Sequence, residues 1–222
     1  MIQIADDLFQ IPLLPRQSVN AYLMGDVVVD AGIRGSARKL LAAVADRELR
    51  AHALTHAHPD HQGASHALCV ARGLPFLCHA AEHEAAVTGD AVRAFPAPDG
   101  LAARVQRRLF AGPGHPVSAT LSEGEEIGGF TVVETPGHTP GHLSFWRAAD
   151  RVLVAGDAAV NMNLVTTAPG LHLPLGMATT DMAMARASLR KLAALDPARV
   201  VFGHGPAADG ADFRRFVDGL SD

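Results

Sequence analysis

Apolar runs, turn signals and amphipathic stretches follow one another twice in the same order along this chain. The first series opens with two short apolar runs in residues 20–32, joined at a Gly-Asp pair, a pattern typical of a β-hairpin. A stretch with helical spacing around Leu40 and Val44 comes next, and an apolar run before His56 then predicts a strand. This part of the chain therefore predicts a hairpin, a helix and a strand that delivers a histidine.

The second series repeats that order with different residues. Residues 142–157 predict another hairpin, and residues 181–194 predict a helix with Leu189 and Leu192 on its apolar face. An apolar run before His204 predicts the strand. Two αβ units bury their apolar faces when the sheets pack together and the helices lie outside. The pattern thus favours an α/β fold, a four-layer αββα sandwich with two mixed sheets.

Residues 88–116 interrupt this order. They contain glycines, prolines and an arginine cluster at Arg104, Arg107 and Arg108, and they predict a short helix within 99–110. Because long insertions often carry substrate contacts, we interpret the segment as a lid-like insertion. The arginines form either a contact for an anionic group or a solvated helix face, and the pattern favours the solvated face.

A second long connection, residues 161–180, is apolar for a loop and includes Met162 and Met177. It is consistent with a pocket wall for an acyl or other apolar group, and equally with a buried connection. No linker-like segment divides the chain, so we expect residues 1–222 to form one domain.

The composition narrows the function classes. Of 222 residues, 48% are hydrophobic and 19% are charged, which is enough apolar material for a compact core. The formal net charge of −4 is unlike the basic surface of a nucleic-acid-binding protein. Apolar runs are too short for a membrane span, and the N-terminus lacks a secretory signal pattern, so we expect a cytoplasmic chain. The two cysteines are too few for a disulfide framework.

Histidine is the unusual residue, with 12 copies against one tryptophan and one tyrosine. His and Asp side chains follow directly after four of the predicted strands. Strand ends at one edge of a sheet collect ligand sites, so seven side chains are expected to converge: His56, His58, Asp60, His61, His138, Asp157 and His204. A single histidine near a strand end is usually just a hydrogen-bonded polar group. The dense group at 56–61 together with the three later positions favours a metal site.

Five imidazoles and two carboxylates form a nitrogen and oxygen donor set, which suits Zn²⁺, Mn²⁺ or iron. Seven donors exceed what one tetrahedral zinc takes, and they fit two metals with one bridging carboxylate. Within the dense run, His56 and His58 can serve one ion, while Asp60 and His61 serve the other.

These motifs together resemble the metallo-β-lactamase superfamily. The matching segments are HAHPDH at 56–61, TPGHTPGH at 135–142, GD at 156–157 and GHG at 203–205, and the resemblance covers nearly the whole chain. It implies the αββα sandwich with the metals at one edge of the sheets. It also implies how the ligands divide: His56, His58 and His138 hold the first metal, Asp60, His61 and His204 hold the second, and Asp157 bridges.

The resemblance implies a hydrolase. Two divalent ions, zinc first and manganese or iron as alternatives, would hold a bridging hydroxide that attacks a small ester, thioester or lactone. Asp60 is the candidate catalytic residue, because it can receive the proton afterwards. The ligand set is similar to that of glyoxalase II enzymes, but few residues follow His204 for their C-terminal domain. The tyrosine that acyl-homoserine lactonases carry shortly after the bridging aspartate has no counterpart after Asp157.

Two alternatives stay open. A mononuclear iron enzyme similar to persulfide dioxygenases would use only part of the ligand set, and a metal-binding scaffold would act through a partner protein. For the hydrolase we expect a small-molecule substrate, no nucleic acid and no membrane, with a homodimer left open. His142, four residues after His138, is expected to support the site rather than to bind metal.

Overall fold

The computed structural model describes residues 1–221, and in that part of the chain two main β-sheets pack face to face. The strands of the first sheet lie side by side in chain order. Its pairs are antiparallel up to the fourth strand and parallel from there on. The strands are β1 (Ile2–Ala5), β2 (Leu8–Pro12), β3 (Asn20–Met24), β4 (Val27–Val29), β5 (Ala51–Ala53), β6 (Phe76–His79) and β7 (Ala119–Leu121).

The second sheet is also mixed, because one of its inner pairs is parallel and the others are antiparallel. Its strands in chain order are β8 (Glu126–Ile127), β9 (Phe130–Glu134), β10 (Leu143–Arg147), β11 (Val152–Val154), then β14 (Arg199–Val201) and β15 (Ala208–Asp209). The order across the sheet is β15-β14-β11-β10-β9-β8. A separate short ladder joins β12 (Val160–Met162) to β13 (Pro169–His172).

Helices cover the outer faces of both sheets, which gives the expected αββα layers. Their bounds are α1 (Ala37–Ala43), α2 (Pro59–Gln62), α3 (Ser65–Arg72), α4 (His83–Thr88), α5 (Leu101–Leu109), α6 (Met182–Ala194) and α7 (Gly210–Asp218). Leu40 of α1 and Leu68 of α3 pack in the core outside the first sheet. Leu189 of α6 and Phe213 of α7 do the same outside the second sheet.

The alternation of side chains in the strands explains this layering. In β4, Val27 and Val29 enter the core between the sheets, while Val28 joins the core beneath the helices of the first sheet. In β11, Val154 faces the other sheet and Leu153 faces α6 and α7. Both faces of these strands are buried, so their sequences are continuous apolar runs rather than alternating ones.

The two long connections differ in how well their secondary structure matches the expectation from the sequence. The helix predicted within 99–110 is α5, so the insertion at 88–116 has the expected helical element. The connection at 161–180 is not a plain loop, because it contains the β12–β13 ladder and a 3-10 turn at Gly176–Ala178. Within residues 1–221, no helix combines the length and apolar character needed to cross a lipid bilayer.

Candidate metal centre

The seven side chains singled out in the sequence lie together at one edge of the two sheets. The first four follow the C-terminal end of β5, and three others follow β9, β11 and β14 of the second sheet. Their donor atoms form three overlapping groups, and within each group all the atoms lie within 4.8 Å of one another. The groups are His56 with His58 and His138, His56 with His61 and Asp157, and Asp60 with His61 and His204.

Asp157 lies between the other donors. Its Oδ2 atom is 3.0 Å from His204 Nε2, 3.4 Å from His61 Nε2 and 3.7 Å from His138 Nε2. This carboxylate therefore reaches residues of both predicted metal positions, as a bridging ligand must. Asp60 Oδ2 lies 3.4 Å from His204 Nε2.

Several donor atoms at this edge are buried and have no hydrogen-bond partner. They are His56 Nε2, His58 Nε2, His61 Nε2, His138 Nε2 and Asp157 Oδ1. Buried polar atoms normally find partners, because an unpaired one costs about 1–3 kcal/mol. A cluster of converging nitrogen and oxygen atoms without protein partners fits a site for divalent cations.

Hydrogen bonds on the far side of two imidazoles fix their tautomers. The Thr55 hydroxyl donates to Asp30 Oδ2 at 2.8 Å, so it accepts from His56 Nδ1 at 3.0 Å. The Thr179 hydroxyl likewise donates to a backbone carbonyl and accepts from His138 Nδ1 at 3.1 Å. In both histidines Nε2 is left unprotonated and free to bind a cation.

Asp30, at the end of β4, is the carboxylate beneath His61. Its Oδ2 accepts from His61 Nδ1 at 2.8 Å, and its Oδ1 accepts from the Thr55 backbone N–H at 2.8 Å. Burial opposes the charged form of His61, but the carboxylates of Asp157 and Asp30 outweigh it and raise the His61 pKa well above its usual range. The same negative charges would stabilise a metal cation.

The other pKa values follow the same balance. Burial lowers the pKa of His138 to about 3, so this imidazole is neutral at physiological pH. Burial also opposes charge on His204, but the carboxylates of Asp157 and Asp60 outweigh it and raise the His204 pKa to about 9. For Asp157, burial favours the neutral acid, yet His204 and His61 hold its pKa well below the usual range. His138 and Asp157 are thus in the forms that bind metals, whereas His61 and His204 would each release a proton when a metal binds, because only neutral imidazole is a ligand.

Two glycines bring the donor loops this close. Gly156 has a φ of +55°, and a Cβ there would lie 2.8 Å from His142 Nε2. A Cβ at Gly203 would lie 2.2 Å from Asp157 Oδ1 and 2.5 Å from His61 Cε1. Any larger residue at Gly203 would displace two of the converging donors.

His142 supports the site in the way the sequence suggested. Its Nε2 accepts a hydrogen bond from the Asp157 backbone N–H at 3.0 Å, so that nitrogen is not available to a metal. Its Nδ1 faces the Thr135 hydroxyl at 2.7 Å. The buried imidazole therefore holds the backbone of Asp157 in place.

Glu82 was not anticipated from the sequence. This residue precedes α4 and is buried, with 3% of its surface exposed. Its Oε2 accepts from the Ala57 backbone N–H at 3.0 Å, and its Oε1 accepts from the Gly141 backbone N–H at 2.8 Å. One carboxylate thus joins the loop of His56 and His58 to the loop that follows His138.

A narrow pocket with a cavity volume of about 60 Å³ opens onto the donors. Besides donor residues, its walls come from the insertion and from the connection after β12, with Phe95, Gln106, Leu164, Pro174, Leu175 and Ala178. The Phe95 ring packs edge-on against His58 at 4.8 Å between centroids. A bond of 2.9 Å from the Thr180 hydroxyl to the Ala94 carbonyl ties the two wall segments together.

Several residues outside the donor set do not line this pocket. Met162 is buried in β12 and Met177 is exposed, and neither is among the residues that line it. His172 is exposed on β13 and does not line it either. The arginines of α5 are exposed, and Arg107 pairs with Asp90 at 3.1 Å, in agreement with a solvated helix face.

Comparison with known proteins agrees with this geometry. The model of the Metallo-beta-lactamase superfamily matches residues 14–204. The "Probable metallo-hydrolase YflN" of Bacillus subtilis (strain 168) is 32% identical over 234 residues, covering 96% of this chain and 85% of the relative.

Solved structures show the same fold. TTHA1623 in a di-iron-bound form is similar with a TM-score of 0.69 and 32% identity, over 91% of this chain and 95% of that one. The BLEG-1 B3 metallo-beta-lactamase is similar with a TM-score of 0.71 and 28% identity, over 96% of this chain and all 100% of that one. The two-sheet fold, the cluster of His and Asp donors and these matches lead to one conclusion: this chain belongs to the metallo-beta-lactamase superfamily.

Proposed function

We propose that this chain is a dinuclear metal-dependent hydrolase that cleaves a small ester, thioester or lactone. The observation that carries the proposal is the convergence of buried, unpaired His and Asp donors at the bottom of one pocket. A relative named as a probable metallo-hydrolase and a similar di-iron-bound structure support it. Two bound divalent ions would supply Lewis acidity and an activated water for attack on the acyl carbon.

The two aspartates among the donors have different surroundings, which suggests different roles. The Asp157 side chain is only 5% exposed and contacts three histidines, so its role is to bind and orient. The Asp60 side chain is 23% exposed and lines the pocket. Hydrolysis places a hydroxyl on the acyl carbon and a proton on the leaving group. Asp60 can accept that proton from water and pass it on, because its side chain is the more exposed of the two.

We propose zinc as the metal, with iron and manganese as alternatives. The donor groups contain imidazole nitrogen and carboxylate oxygen and no thiolate, since Cys69 and Cys78 are buried elsewhere as free thiols. This donor set suits all three metals. The relative with two irons makes iron the main competitor of zinc.

We propose a small molecule as the substrate, because the donors lie inside a pocket rather than on an open surface. The cavity beside the donors has a volume of about 60 Å³, well below the roughly 300–1,000 Å³ typical of small-molecule sites, so it admits a small reacting group and leaves the rest of the substrate at the rim. A folded macromolecule would reach the donors only with a flexible end.

Elemental analysis of the purified protein, combined with a panel of esters, thioesters and lactones, tests the proposal. Two metal equivalents per chain, and turnover that disappears with a chelator and returns with metal, would support it. His172→Ala is a matched control, because this histidine is exposed and does not line the pocket. It should keep both metals and full turnover.

Other outcomes would favour the alternatives. One iron per chain with persulfide-dependent oxygen consumption would replace the hydrolase with a mononuclear oxygenase. Two tightly bound metals without turnover of any acyl substrate would favour a metal-binding scaffold.

A further inference from the structure

The residues of the pocket wall indicate the polarity of the substrate, which the metal ligands do not. Outside the donor residues, the lining consists of five apolar residues and one neutral amide, which are Phe95, Leu164, Pro174, Leu175, Ala178 and Gln106. None of these wall residues carries a charge. An apolar wall gains free energy from apolar surface on the ligand and opposes burial of an ionic group.

Gln106 is the polar exception in this wall. It lies on α5, is half-buried and lines the pocket. Within residues 1–221 its amide group has no hydrogen-bond partner, although its backbone carbonyl caps the helix end through Phe110 and Ala111. An amide offers a donor and an acceptor without charge.

The arginines of the same helix do not change this picture. Arg104, Arg107 and Arg108 are exposed and are absent from the pocket lining. Arg107 is turned toward Asp90 and the Pro98 carbonyl. A carboxylate or phosphate on the substrate, away from the reacting carbonyl, would therefore meet no cation in the wall.

The apolar surface continues beyond the pocket. Leu175 lines the pocket and is 39% exposed, so it forms part of the rim. Met177, in the 3-10 turn between two lining residues, is 58% exposed. An acyl group longer than the pocket can keep apolar contacts as it leaves it.

We propose that this pocket selects neutral substrates with an apolar acyl group, and that Gln106 is the specificity-determining residue that hydrogen-bonds a neutral polar group within that acyl chain. The proposal rests on the hydrolase function proposed above. It assigns polar recognition of the substrate to the Gln106 amide and not to the arginine cluster of α5.

Three esters of 4-nitrophenol with acyl chains of equal length test the proposal on the metal-loaded protein. They are the hexanoate, the N-acetyl-β-alanine ester, which carries a neutral amide, and the adipate monoester, which carries a carboxylate. We expect kcat/KM to be at least about tenfold lower for the adipate monoester than for the two neutral esters, because its charge enters an apolar wall.

Two variants of Gln106 separate a specificity role from a structural one. Gln106→Leu should raise KM for the amide ester about 3- to 10-fold relative to KM for the hexanoate, because one neutral hydrogen bond to the amide ester alone is lost. Gln106→Arg should shift the preference toward the adipate monoester. Arg104→Gln, an exposed change on the same helix, is the control and should alter none of the three.

The results that would overturn the proposal are equal kcat/KM for all three wild-type reactions, or an equal effect of Gln106→Leu on every ester. A higher KM for the adipate monoester in Arg104→Gln would return the arginines to the site. Calorimetric titration with N-methylhexanamide separates the two proposals. Binding that Gln106→Leu weakens, without hydrolysis of any ester, would refute the hydrolase and keep the pocket assignment. Hydrolysis of all three esters with equal kcat/KM would refute the pocket assignment and keep the hydrolase.

Discussion

Removing the carboxylate of Glu82 should weaken metal binding, although Glu82 is not one of the predicted metal ligands. Glu82 accepts one backbone hydrogen bond from each of two loops, at 3.0 Å from Ala57 and at 2.8 Å from Gly141. The first loop carries His56 and His58, and the second begins at His138. Without this link, the group formed by those three histidines loses its fixed spacing.

The magnitude follows from what each substitution leaves unpaired. In Glu82→Gln the amide oxygen can still accept one of the two N–H groups, and the amide nitrogen faces the other donor. One buried donor is then unsatisfied, which costs about 1–3 kcal/mol of folding free energy. Glu82→Ala strands both donors, which costs about 2–6 kcal/mol, and the cavity that it leaves adds to this cost. Metal affinity should fall about 10- to 100-fold, the usual result of losing a group that orients ligands.

Thermal unfolding of metal-free protein and metal titration against a chromophoric chelator measure these two effects. Glu84→Gln is the matched control, because Glu84 lies nearby on α4, is 69% exposed and pairs with Arg93. Its stability should change by less than about 0.5 kcal/mol. Wild-type melting temperature and wild-type metal affinity in Glu82→Gln would refute the reasoning.

Three further outcomes follow from the structure. Asp157→Ala should lose metal and turnover together, since its carboxylate contacts donors of both groups, and full activity with two metals would contradict the bridging role. His142→Leu should lower metal affinity while retaining the fold, measured by metal titration and circular dichroism, because the Asp157 N–H loses its acceptor. Cys69 and Cys78 are buried and their pKa values are raised to about 12, so thiolate is scarce at neutral pH. Native protein should therefore react slowly with a disulfide reagent up to pH 9, and quickly once unfolded, whereas rapid native labelling would contradict the burial.

The sequence was sufficient for features that depend on local pattern. The strands β4 and β11 are short apolar runs bounded by turn residues, and strands of this kind at one edge bring their following residues together. The convergence of the donors could therefore be expected from the strand ends alone. Their role as ligands of two metals stays a prediction that metal analysis must test.

The supporting residues could not be found in this way, because their partners are distant in the sequence. Glu82 is 25 residues from Ala57 and 59 residues from Gly141, and nothing in the local pattern around it marks a buried carboxylate. The sequence gives a weak indication of a supporting role for Asp30. It is an acidic residue directly after the apolar run of β4, and such a residue must be paired if it is buried.

The ladder of β12 and β13 was missed for a different reason. Its register shifts between Val160 and Met162, and β13 begins with Pro169 and Gly170, which are poor strand formers. Neither strand shows a clean alternation of apolar and polar residues. The sequence of this segment therefore predicts an apolar loop. Some of its residues do form the pocket wall, which is one of the two interpretations that the sequence allows.

Metal binding and substrate selection are carried by different parts of this chain. The donors follow strands of the two sheets, and buried hydrogen bonds to the carboxylates of Glu82 and Asp30 hold their loops. The walls come from the insertion and from the connection after β12, which add Gln106 and Leu175 without contributing donors. Because of this separation, Glu82→Gln should change metal affinity but not the ratio of kcat/KM between two esters. Gln106→Leu should change that ratio but not metal affinity. The double variant should show the sum of both effects in free energy, and a large departure from additivity would mean that the wall helps to position the metals.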